Sequence, residues 1–128
     1  MNQKFDATGE FGEEIRTQIS VRLKGFRPRP VRAHVLTQTE GPGGKQRFVL
    51  EADSMTLGRS ASCNIVLDND NVSRNHARLT RFDDEYTIED LGSRNGILLN
   101  GLQVHSAVLR DGDEVHVGDF VFTYAEGT

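Results

Sequence analysis

Apolar residues in this chain come in short runs, most of them alternating with polar neighbours and broken every few positions by glycine, asparagine or aspartate. Alternation at a period of two marks a strand with one buried face, whereas a helix repeats its apolar positions every three or four residues. From residue 31 onward the pattern predicts ten short strands: Val31 to Leu36, Phe48 to Ala52, Met55 to Gly58, Asn64 to Leu67, Ala77 to Phe82, Tyr86 to Glu89, Ile97 to Leu99, Leu102 to Val104, Glu114 to Val117 and Phe120 to Tyr124. The first two flank Gly41-Pro42-Gly43-Gly44, whose composition demands a turn. Asn100-Gly101 lies between two apolar runs and signals a type I′ hairpin, because both central residues of that turn need positive φ. Asp83-Asp84 and Asp111-Gly112 mark similar turns. Many short strands joined by tight turns predict an all-β sandwich that presents its loops at the two ends, where function is expected.

Arg27-Pro28-Arg29-Pro30 interrupts the pattern, since proline lacks a backbone donor and disfavours helix at the residue before it. This stretch reads as an extended linker between a leader, residues 1–30, and a domain, residues 31–126. Within the leader Ile15, Thr17, Ile19, Val21 and Leu23 alternate with polar residues as a strand would, although a helical face of Phe11, Ile15, Ile19 and Leu23 is also open. The β-branched content favours the strand, which needs a partner edge, so self-association through residues 15–24 enters as an expectation. Thr8 and Thr17 are candidate phosphorylation sites through which a tethered leader would occupy and mask the domain.

Composition narrows the class. A chain of 128 residues holds one ordinary domain with an extension. Its formal net charge of -4 argues against a nucleic-acid binder, which needs a concentrated basic face. Cys63 is the single cysteine, which excludes an internal disulfide and points to a reducing compartment. No apolar run resembles a signal peptide or reaches the roughly 20 residues of a membrane helix, so a soluble, cytoplasmic protein is expected, with no membrane partner.

Three polar segments are too particular for generic turns: Leu57-Gly58-Arg59-Ser60, Val72-Ser73-Arg74-Asn75-His76-Ala77 and Asp90-Leu91-Gly92-Ser93-Arg94-Asn95-Gly96. Each borders a strand, and together they supply guanidinium groups, a hydroxyl and a carboxamide. Those groups suit a phosphorylated peptide: arginine offers planar donors to phosphate, serine donates one hydrogen bond, and an asparagine amide both donates to and accepts from a peptide backbone.

In the order and spacing of Gly58-Arg59, Ser73-Arg74-x-His76, Ser93-x-Asn95-Gly96 and Asn100-Gly101 the chain resembles the forkhead-associated (FHA) domain family, over roughly residues 31 to 125. The resemblance implies an eleven-stranded β-sandwich whose apical loops bind phosphothreonine. It implies that Arg59 and Ser73 contact the phosphate, that Arg74 adds a contact to it or to the peptide, and that Asn95 hydrogen-bonds the ligand backbone. Arg94 occupies a variable, ligand-facing position that bears on specificity, and Gly58, His76 and Gly96 shape the loops without touching the ligand. Two departures stand out. Ile97 replaces the usual threonine, and Asn71 occupies a position where some members carry a basic phosphate ligand, so a contact worth about 1.5–3 kcal/mol is missing.

The implied function is a phosphothreonine-dependent protein-binding module in signalling, serving phosphothreonine-containing partners downstream of a Ser/Thr kinase. Its competitor is a structural or assembly module with the same fold that binds without phosphate, through the leader. Neither a cofactor nor a metal is expected: His34, His105 and His116 lack ligand spacing, and Asp68-Asn69-Asp70-Asn71 lacks the glutamate of an EF-hand loop. Nor is an enzyme expected. Gly43-Gly44-Lys45 lacks the first glycine and the Ser/Thr of a nucleotide-binding loop, and Gly58-Arg59-Ser60-Ala61-Ser62 lacks the second glycine of a nucleophile elbow.

Overall fold

The computed structural model describes residues 32–127, and every regular element among them is a strand. The expected leader, with residues 15–24, Thr8 and Thr17, lies outside the described residues. The strands are β1 (Ala33–Glu40), β2 (Gln46–Leu50), β3 (Ser54–Gly58), β4 (Ile65–Val66), β5 (Ala77–Phe82), β6 (Glu85–Asp90), β7 (Ile97–Leu99), β8 (Leu102–Val104), β9 (Ser106–Val108), β10 (Glu114–Val117) and β11 (Phe120–Gly127). They form a six-stranded sheet, β2-β1-β11-β10-β7-β8, and a five-stranded sheet, β4-β3-β5-β6-β9. Only β3 and β4 pair in parallel; the other pairs are antiparallel.

Alternation drives the packing. Leu79 on β5, Tyr86 and Ile88 on β6, Val115 and Val117 on β10, and Phe122 and Tyr124 on β11 are all fully buried and meet in one core between the sheets. Each such side chain contributes about 1.5–3 kcal/mol of burial free energy, so the sheets are held mainly by this layer. Ile97, which stands where the family usually has threonine, is also fully buried in this core, so its apolar side chain packs inward.

Tight turns set the registers. Asn100 and Gly101 have φ of 51° and 86°, as a type I′ turn requires, and Leu99 pairs with Leu102 across them. Asp83 and Asp84 do the same without glycine, at φ of 53° and 60°, between paired Phe82 and Glu85. The third expected hairpin is corrected. Asp111-Gly112 does turn, with the Asp113 N–H donating to Arg110 O at 3.0 Å, but it carries the chain from β9 in one sheet to β10 in the other. Strand β9 is an addition to the ten expected: only His105 separates it from β8, yet β8 pairs with β7 and β9 with β6. The run from Leu102 to Val108 therefore bends between sheets, and no turn residue announces it.

Buried polar groups at the end away from the loops with candidate chemistry are satisfied. His34 lies between Tyr124 Oη at 2.6 Å from Nδ1 and Asp84 Oδ1 at 2.9 Å from Nε2. The Asp84 carboxylate can only accept, so Nε2 of His34 carries the hydrogen of that contact. Burial, with the Glu126 carboxylate nearby, pushes the Tyr124 hydroxyl well above the ordinary phenol range. No helix among the described residues is long and apolar enough to cross a membrane.

Candidate functional site

Three loops carry the candidate residues: 59–64 after β3, 67–76 after β4, and 91–96 after β6. Backbone hydrogen bonds tie the first to the second, with Arg59 N–H donating to Ser73 O at 3.0 Å and Ser60 N–H to Arg74 O at 3.1 Å. Gly58 makes this approach feasible. A Cβ there would lie 2.1 Å from Arg74 O and 3.0 Å from Cys63 Sγ, so only glycine lets β3 pass beneath the loop that bears Arg74. The buried Cys63 thiol in turn reaches Arg74 O at 3.3 Å, an internal packing contact.

The second and third loops are joined by His76, which is fully buried. Its Nδ1 accepts the Ser73 N–H at 3.0 Å and its Nε2 faces Gly96 O at 2.7 Å. Those partners fix the tautomer: an acceptor at Nδ1 and a hydrogen on Nε2. One ring thus sets the spacing between the segments that carry Ser73 and Asn95. Gly96 itself sits at φ of 77°, a left-handed conformation that disfavours a side chain. Sequence reading gave Ser93 no separate role, but its hydroxyl donates to Asp90 Oδ1 and accepts the Gly96 N–H at 2.8 Å. Ser93 and Asp90 thereby close the third loop internally.

On this frame the polar groups converge. Ser73 Oγ accepts the Arg94 N–H at 3.0 Å, which leaves its own O–H available to donate. Arg59 is anchored through Nε to Val72 O at 3.0 Å, so its two terminal nitrogens remain for a ligand. Asn95 donates one Nδ2 hydrogen to Asn71 O at 2.9 Å, leaving the second hydrogen and the Oδ1 acceptor available. Arg94 reaches across to Asp70 O at 2.8 Å. Asn71 is turned sideways, its Nδ2 donating to Asp119 Oδ1 at 3.1 Å in the turn between β10 and β11. Asn69 Nδ2 donates to the other oxygen of the same carboxylate at 2.9 Å. The motif marks neither Asp119 nor Asn69; Asp119 lies 48 positions along the chain from Asn71, and Asn69 takes part only through that same distant carboxylate.

Electrostatically the site gathers guanidinium groups that meet no carboxylate among the described residues. Arg32, Arg78, Arg81 and Arg110 each pair with a carboxylate, whereas Arg59, Arg74 and Arg94, like Arg47 on β2, have none among the described residues. Arg59, Arg74 and Arg94 are exposed, and the loops carrying them are hydrogen-bonded together. An anion held there would replace water without displacing an existing ion pair. Among the described residues no His, Cys, Asp and Glu side chains gather in a group able to hold a metal ion.

The FHA domain family model matches residues 55–118, a span that holds all three loops. The chain belongs to the FHA domain family. Curated relatives include the oxoglutarate dehydrogenase inhibitor of Corynebacterium diphtheriae, 39% identical over 98 residues, which cover 77% of this chain and 68% of that protein. The glycogen accumulation regulator GarA of Mycobacterium tuberculosis is 35% identical over 124 residues, covering 97% of this chain and 73% of GarA. Among solved structures, Mycobacterium tuberculosis EmbR in complex with a low-affinity phosphopeptide aligns with a TM-score of 0.65 and 27% identity, over 96% of this chain and 32% of EmbR. These two relatives are thus named as an inhibitor and a regulator, and one solved neighbour holds a phosphopeptide.

Proposed function

We propose that residues 31–126 form a phosphothreonine-dependent protein-binding domain, in which Arg59, Ser73 and Arg74 bind the phosphate and Asn95 holds the ligand backbone. The observation that carries the proposal is the Arg59 guanidinium, its Nε anchored to Val72 O, next to a Ser73 hydroxyl that accepts the Arg94 N–H and keeps its own hydrogen to donate. Both donors are positioned before a ligand arrives, so little side-chain entropy is lost on binding. A phosphothreonine brings about -1.5 to -2 charge and strong acceptor oxygens, which the unmodified hydroxyl lacks. Phosphorylation therefore creates the contacts that bind. Arg94, tied to Asp70 O, and Asn71, tied to Asp119, border the path of the ligand and act on its neighbouring residues. Gly58, His76 and Gly96 keep the loops in place.

A reader of this kind requires a Ser/Thr kinase upstream and a phosphorylated partner protein, and it carries out no chemistry itself. We place it in the cytoplasm, where its one free cysteine stays reduced. Calorimetric titration with a phosphothreonine peptide, its unphosphorylated and phosphoserine forms, and the Arg59→Ala protein tests the proposal. Binding is expected to need the phosphate and to weaken at least about tenfold in Arg59→Ala, the equivalent of one hydrogen bond to a charged group. Equal binding of phosphorylated and unphosphorylated peptides would overturn it.

A further inference from the structure

Beside Asn95 the surface dips into a cleft of about 240 Å3, lined by Asn71, Asn95, Leu98, His116, Gly118 and Asp119. None of the three site arginines lines it. Its floor is set by Leu98 on β7 and His116 on β10, which pair across the two strands and face away from the core. Its wall is the Gly118-Asp119 turn. That turn stands close against the β4–β5 loop because Gly118, at φ of 59°, has no Cβ: one would lie 2.6 Å from Val72 Cγ2 and 3.1 Å from Asn71 O. Across the gap the Asp119 carboxylate accepts one amide hydrogen from Asn69 and one from Asn71. Each carboxylate oxygen retains acceptor capacity, and the group is exposed. His116 also lies 3.1 Å from Glu114 Oε1, which adds a second carboxylate on the same strand face.

From this arrangement we infer that the cleft reads a basic side chain of the phosphorylated ligand, with Asp119 as the residue that determines the preference. The inference rests on the phosphothreonine reading above, because the cleft adjoins the Asn95 amide that would hold the ligand backbone. A lysine or arginine lays its aliphatic stem on Leu98 and brings its charged head to Asp119, whereas a glutamate meets the same carboxylate as a like charge. The rest of the site works in the opposite direction. Arg59, Arg74 and Arg94 together favour acidic ligand residues at every flanking position, so a preference for lysine at one position stands out against that background. Asp119 has a second effect that must be kept apart from the first: by holding Asn71 it also positions Asn71 O, the acceptor of Asn95 Nδ2. Loosening that support lowers affinity for all ligands alike, while the charge of Asp119 changes only the ratio between basic and acidic ones.

The test uses the full 128-residue chain and a set of phosphothreonine peptides in which each of the four positions on either side is set in turn to lysine, leucine and glutamate, read by fluorescence anisotropy. At one flanking position lysine is expected to bind about fivefold tighter than glutamate, the size of an exposed attractive contact set against a repulsive one. In Asp119→Asn that ratio is expected to collapse toward one or invert, whatever happens to the overall affinity, and added salt is expected to reduce it in the parent. Phosphate-dependent binding with no position that favours lysine would overturn the inference and leave the phosphothreonine reading standing. A lysine preference that persists unchanged in Asp119→Asn would remove Asp119 from the role. Absence of any phosphate-dependent binding would sink both.

Discussion

Replacing Gly58 by alanine isolates the contact on which the two phosphate-facing loops depend. Gly58 is buried and outside the left-handed region, so the backbone itself tolerates a side chain. The obstacle is space. An ideal Cβ sits 2.1 Å from Arg74 O and 2.8 Å from Arg74 C, both backbone atoms, whereas ordinary contact begins near 3.4 Å. The carbonyl must retreat by roughly 1.3 Å, which strains the hydrogen bonds from Ser60 N–H to Arg74 O and from Arg59 N–H to Ser73 O. Overpacking of this kind costs about 1–3 kcal/mol, and a weakened backbone hydrogen bond adds about 1 kcal/mol. The loss of glycine's freedom in the unfolded chain returns about 0.4–1 kcal/mol. The net destabilisation is therefore about 1–3 kcal/mol, equivalent to a fall in Tm of roughly 5–20 °C for a domain of this size. Urea titration gives the stability, and anisotropy with a phosphothreonine peptide gives the affinity, expected to drop because Ser73 and Arg74 move. Gly101→Ala is the matched control: its φ of 86° makes alanine costly by about 1–2 kcal/mol, but nothing lies within 4 Å of the added carbon and the turn is remote from the ligand loops. Unfolding of Gly58→Ala no earlier than Gly101→Ala, together with phosphopeptide binding within twofold of the parent, would refute a steric role for the Gly58–Arg74 contact.

Two further outcomes follow from the same geometry. Ser73→Ala removes both the acceptor of the Arg94 N–H and the O–H proposed to reach the phosphate, so phosphopeptide affinity is expected to fall by about 1.5–3 kcal/mol while the urea midpoint stays nearly unchanged; unaltered affinity by calorimetry would count against a phosphate contact. Stability is expected to decline above about pH 10, because unfolded tyrosine then releases a proton that Tyr124, raised by burial in the folded chain, still holds. The unfolded state binds fewer protons there, so the slope of stability with pH is negative, and Tyr124→Phe, compared by thermal melts from pH 8 to 11, should flatten it.

Most strands are legible because their information is local: a period of two, β-branched residues, and turn residues such as Asn100-Gly101 whose φ demands few alternatives. Strand β9 was not, since no glycine, proline or asparagine breaks Leu102 to Val108, and only partners elsewhere in the chain, β7 for one half and β6 for the other, decide where it changes sheets. The Asp111-Gly112 turn shows the complementary limit: the tetrapeptide reports that the chain reverses, not which sheet receives it. The same division runs through the candidate site. The side chains proposed to meet the ligand, Arg59, Ser73, Arg74 and Asn95, carry chemical identity and can be read from a linear motif. What holds them is mostly main chain, with Val72 O receiving Arg59, Asp70 O receiving Arg94, Asn71 O receiving Asn95 and Gly96 O receiving His76. A carbonyl is common to all residues, so no sequence pattern marks these acceptors. Ligand class is therefore visible in the motif, while ligand preference depends on groups such as Asp119 that only the folded chain brings alongside Asn71, and relatives that keep the motif remain free to differ there.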